Sequence, residues 1–186
     1  MKAVLKAAAA IFALLPGLGV LQSGLGVPPE DGMKLIFGGV IEAFGVLSLL
    51  LLRVNRATIR GLSKQAVNIA TVAIAGFAFV LLLAYLGCYS YCVVTFDPRG
   101  TVYFPLWNHG VLATMVSNAG GRAAAMDMYG RYAVYEAVKS MGELPAIATD
   151  AVLLLLYTGL FTGLTWAFGL PSMHEEPAPE SPVKPE

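Results

Sequence analysis

Apolar residues run in four long blocks along this chain, with polar residues gathered between them. The blocks cover residues 4–21, 33–52, 66–92 and 144–170. A helix needs about 20 mostly apolar residues to cross about 30 Å of hydrocarbon, so each block predicts a membrane span. Lys6 and Pro16 interrupt the first block. Glu42 is the only interior charge of the second, the third has none, and Asp150 is the only charge of the fourth. The predicted fold class is all-α, a four-helix transmembrane bundle over 1–170. It carries a small extracytoplasmic cap, 93–143, and ends in a disordered cytoplasmic tail, 171–186.

The first block also fits a signal peptide, with Lys2 and Lys6 as its basic region and residues 7–15 as its apolar core. No clear small-x-small cleavage site stands near Leu21-Gln22-Ser23, so a retained span is the preferred reading. Cleavage would leave three spans.

The polar stretch 93–143 is long enough to fold. Val93-Val94-Thr95-Phe96 and Thr101-Val102-Tyr103-Phe104 are β-rich runs around Asp97-Pro98-Arg99-Gly100, a type I turn signature. They predict a hairpin, which is marginal alone in water and must rest on something. Trp107-Asn108-His109-Gly110 reads as a loop and Asn118-Ala119-Gly120-Gly121 as a break. Residues 122–141 predict an amphipathic helix with Met126, Gly130, Ala133, Ala137 and Met141 on one face. Beside Tyr129, Tyr132 and Tyr135, that helix suits a membrane interface or a cap packed on the spans. After Leu170, prolines 171, 177, 179, 182 and 185 mixed with Glu predict disorder.

Composition strengthens the membrane reading. Hydrophobic residues make up 57% of the chain and charged residues 13%, against about 25% charged in a soluble domain. Formal net charge is zero and no basic stripe appears, which argues against a nucleic-acid partner. The linker after the second block holds Arg53, Arg56, Arg60 and Lys64 without an acid, which places it in the cytoplasm. Both termini are then cytoplasmic, and the cap lies outside. The Ala- and Gly-rich spans point to a bacterial inner (plasma) membrane.

Glu42 is the sharpest single candidate for chemistry. It sits about nine residues inside its span, roughly 13 Å deep at about 1.5 Å per residue. A carboxylate there is costly and faces protein or water. Gly38 and Gly45 lie on its side of the helix and allow close helix approach. The functional reading is a proton or cation site, and the plain reading is an interhelical hydrogen bond. Asp150 is shallower, near a helix N-terminus whose dipole favours it. Arg122, Arg131 and Lys139 are its candidate partners. Gly159 and Gly163, with Ala167 a turn further on, form a helix-association face for two subunits or for two spans of one chain.

Cys88 and Cys92 stand four apart, one above the other on a regular helix, and a bridge between them would strain it. A short outer loop followed by a larger one resembles the layout of quinone-linked disulfide-forming membrane proteins and of tetraspanins. The first outer loop has no cysteine, however, and the second has no Cys-Cys-Gly. His109 and His174 fall on opposite sides of the membrane, so no metal site is predicted. No motif implies a cofactor.

These features favour a non-enzymatic multi-pass protein, an oligomeric scaffold or channel-like subunit of a membrane complex. Its expected partners are the lipid bilayer and either copies of itself or a complex partner docked on the cap. The alternatives are a small proton- or cation-coupled transporter subunit using Glu42, and a membrane thiol oxidoreductase using Cys88 and Cys92.

Overall fold

The structure is a computed structural model and describes residues 34–96 and 100–174. The expected first span, the turn residues 97–99 and the tail from 175 lie outside the described residues. Seven helices and one two-stranded sheet make up the described chain. They are α1 (Lys34–Val54), α2 (Arg56–Gly61), α3 (Lys64–Cys92), β1 (Val93–Phe96), β2 (Gly100–Tyr103), α4 (Gly110–Ala119), α5 (Arg122–Tyr129), α6 (Arg131–Ser140) and α7 (Leu144–His174). The protein is therefore mostly helical.

Among the described residues two helices, α3 with 29 residues and α7 with 31, are long and apolar enough to cross a membrane, where the apolar pattern predicted four such stretches. The second predicted stretch is the 21-residue helix α1. The surfaces of α3 and α7 carry large apolar side chains, among them Ile69, Val72, Phe77, Val80 and Leu155. Exposed apolar surface of this kind marks contact with a membrane or with another protein.

Two compact units divide the described chain. Among the described residues, one comprises Gly38–Phe79 and residues 159–174. In it Leu52, Ile59 and Leu170 form a buried cluster, flanked by Ala70, Ile74, Trp166 and Met173. Along α1 the buried positions Ile41, Gly45, Ser48 and Leu52 recur every three or four residues, as one helix face must. Ser63 supplies the cap of α3, accepting the Ala66 amide at 3.2 Å.

In this unit the chain departs from expectation at Pro171. Helix α7 continues through it to His174, where the tail was expected to begin. Proline lacks the N–H a helix interior needs. Here the residues beyond it are held by packing. Ser172 is buried, Met173 adjoins the apolar cluster, and the His174 ring lies 3.1 Å from the Leu62 carbonyl.

The second unit is built around Val80–Thr158. Strands β1 and β2 pair antiparallel, with Val93 opposite Tyr103 and Phe96 opposite Gly100. The second strand therefore starts one residue earlier than the turn signature implied. The Phe104 amide extends the same ladder to the Cys92 carbonyl at 2.8 Å. The hairpin rests on the helices that follow it. Val102 and Phe104 pack with Leu112, Met126, Val134 and Ala137 in one buried cluster.

The single amphipathic helix expected over 122–141 is two helices, α5 and α6. Gly130 separates them with φ 80° and ψ 155°, a backbone state that essentially only glycine adopts. A further helix, α4, precedes them and ends at Gly120 in the left-handed conformation.

Candidate functional site

The end of α3 carries orphan carbonyls, as every helix end does. Arg122, at the start of α5, supplies their partner. Its Nη1 donates to the Tyr91 carbonyl at 2.7 Å, and its Nη2 donates to the Pro105 carbonyl at 2.8 Å. Longer contacts reach the Leu106 carbonyl at 3.3 Å and Asn108 Oδ1 at 3.2 Å. The guanidinium lies 3.6 Å from the centre of the Tyr91 ring. A cation here also meets the negative end of the α3 dipole. Arg122 was a candidate partner for Asp150, and its hydrogen bonds run to the carbonyls of Tyr91, Pro105 and Leu106 and to the Asn108 side chain.

The loop that Arg122 grips is tied at its other side to α7. The Leu106 amide donates to Thr149 Oγ1 at 2.9 Å, and Thr149 Oγ1 donates to the Pro145 carbonyl at 2.7 Å. One residue on, Asp150 Oδ1 accepts the Tyr103 hydroxyl at 2.8 Å. Burial, and then the bond to Asp150, hold the Tyr103 phenol well above its ordinary range, so it stays a neutral donor.

Beside this bond opens a cavity of about 590 Å³, a volume typical of small-molecule sites. Three elements line it. Strand β2 contributes Val102 and Tyr103. Helix α6 contributes Arg131, Tyr135 and Lys139, four residues apart and hence on one face, together with Val138. Gly142 and Glu143 line it from the connection before α7, and Ala146 and Asp150 from the first turns of that helix. One wall is thus basic and aromatic, and the other is acidic. Arg131, Tyr135, Lys139 and Glu143 are solvent-exposed, while Tyr103 and Asp150 are half-buried.

The remaining candidates are placed as follows. Glu42 is half-buried on α1, beside the buried Ile41–Leu52 face that includes Gly45, and Gly38 lies in the same helix. It belongs to the first unit and Asp150 to the second. Gly163 faces α3 within the chain, where an added Cβ would lie 3.1 Å from Ala78 Cβ. Ala167 is buried, and Gly159 is half-buried on α7. Cys88 and Cys92 are both free thiols, Cys88 half-buried and Cys92 fully buried. No three His, Cys, Asp or Glu side chains come together among the described residues.

Of the cavity residues, the sequence places Tyr103 in the hairpin and Tyr135 on the interfacial helix without assigning either to a site, and gives Glu143 no role. The 131/135/139 and 143/146/150 spacings carry a signal for them, but only once α6 and α7 are known to border one space. Comparison of the chain with protein-family models, with curated proteins and with solved structures gives no match.

Proposed function

We propose that this chain is a multi-pass membrane protein whose extracytoplasmic cap binds a ligand in the cavity between α6 and α7. In this reading four spans cross the plasma membrane of a bacterium, the termini are cytoplasmic and the protein is not an enzyme. It serves an oligomeric or multi-protein membrane assembly as a scaffold or channel-like subunit, and the cap is its sensing surface.

One observation carries the reading. The cap has its own buried core and holds a cavity of about 590 Å³ with charges of both signs converging on it. The test fills that cavity. Ala146→Trp adds a large ring to its wall, and Tyr103, Asp150 and Arg122 stay in place. Wild-type protein extracted from its own membrane should carry a bound small molecule in native mass spectrometry, and the variant should lose it. A wild type with no bound mass, or a variant that retains it fully, would refute the reading.

A second reading, a proton- or cation-coupled subunit, draws support from Glu42 beside a buried face with Gly45 and Ser48. It expects Glu42→Gln to abolish ion flux in proteoliposomes while insertion and folding persist. Unchanged flux would make Glu42 structural.

A further inference from the structure

We infer that the α6/α7 cavity takes a zwitterionic group, a phosphate joined by a short linker to an ammonium, and that the head of a zwitterionic phospholipid supplies it. The inference rests on the proposed cap site and adds the class of its ligand.

Charge is sorted by wall. Exposed Lys139 stands on α6 and exposed Glu143 stands just before α7, while Asp150 is already engaged by the Tyr103 hydroxyl. These exposed charges balance, so a ligand of either single sign would meet repulsion from one wall. A ligand carrying both signs a few ångströms apart meets attraction from both. Arg and Lys are the usual phosphate donors, and carboxylates accept from an ammonium. The Tyr103 and Tyr135 rings add faces that attract an ammonium.

The lipid source follows from what adjoins the cavity. Cavity positions 143, 146 and 150 run beside a second stripe of α7, made by Leu144, Ile147, Ala151 and Leu155 at spacings of three and four. That stripe is exposed, Leu144 at 80% and Leu155 at 71%. It is apolar throughout and belongs to a helix long enough to cross a bilayer. A lipid seated by its head in the cavity lays its acyl chains along this stripe. Tyr132, 78% exposed on α6, sits where an interfacial ring belongs. A free amino-phosphate would use the cavity and leave the stripe bare.

The experiment titrates the full-length protein in detergent with phosphatidylethanolamine, phosphatidylglycerol and free phosphoethanolamine, and reads bound mass by native mass spectrometry. Lys139→Gln and Glu143→Gln are the test variants, because both residues are exposed and outside the buried core. One phosphatidylethanolamine should bind, at least tenfold tighter than phosphatidylglycerol, and each variant should weaken it about tenfold. Free phosphoethanolamine should bind far more weakly. If it binds as tightly as the lipid, the headgroup chemistry stands and the lipid source falls. Equal binding of phosphatidylglycerol, with Glu143→Gln silent, overturns the zwitterion. A bound molecule of another class that Ala146→Trp removes would overturn this inference and leave the cap as a binding module.

Discussion

Replacing Arg122 by Leu should unfold the cap locally. The side chain is 7% exposed and makes two short hydrogen bonds and two longer ones to two stretches of chain, the end of α3 and residues 105–108. Bonds to a charged donor contribute about 1.5–3 kcal/mol each, so the two short ones alone are worth roughly 3–6 kcal/mol. The ring contact with Tyr91 adds about 0.5–2 kcal/mol. Against this stands the cost of drying a guanidinium, several kcal/mol, which the Leu variant escapes. Its Nε, buried with no hydrogen-bond partner, lowers the gain further. Losing Arg122 also strands the Tyr91 and Pro105 carbonyls. Each stranded carbonyl costs about 1–3 kcal/mol, and with the lost ring contact the net loss should be about 3–5 kcal/mol.

At about 1.4 kcal/mol per factor of ten, amide exchange in β1, β2 and α4–α6 should then speed by roughly a hundred- to several-thousand-fold. Hydrogen–deuterium exchange with mass spectrometry, on protein in nanodiscs, reads this directly. Exchange within the first unit should change far less. Arg122→Lys should recover only part of the protection, because an ammonium lacks the planar fork that reaches both carbonyls. A cap whose exchange changes less than tenfold in Arg122→Leu would refute the argument, as would full rescue by Lys.

Three further outcomes are expected. Gly130→Ala should cost the cap about 1–3 kcal/mol in thermal or denaturant unfolding, since its φ of 80° with ψ 155° strains any residue with a Cβ; a neutral effect would mean the α5–α6 break relaxes freely. Gly163→Leu should lower stability by about 1–3 kcal/mol through overpacking against Ala78, without requiring a change in subunit number; unaltered stability with loss of an oligomer would move that face to a subunit interface. The raised pKa of Tyr103 favours the neutral phenol in the folded state, so its contribution is present below about pH 10 and is lost as pH rises further. Cap stability should therefore fall less steeply above pH 10 in Tyr103→Phe than in the wild type, and identical slopes would refute the Tyr103–Asp150 account.

Local rules were enough for much of this architecture. Runs of apolar residues fixed where α1, α3 and α7 lie, because a helix of that composition and length needs no distant partner to be predicted. The β-rich runs around Asp97-Pro98-Arg99-Gly100 located both strands of the hairpin to within one residue. The helix break at Gly130 was also legible in principle. A lone glycine in a periodic stretch, however, is compatible with a continuous helix, and only the observed φ decides.

What tertiary structure alone decided is which side chains meet. Arg122, Arg131 and Lys139 were equivalent partners for Asp150 along the chain. Packing sent Arg122 to the end of α3, where orphan carbonyls and a helix dipole await a cation. It gave Asp150 the Tyr103 hydroxyl, 47 residues away in sequence. The helix passing through Pro171 and the cavity between α6 and α7 have the same origin. Both depend on contacts between residues far apart along the chain, whose free energy no local pattern records.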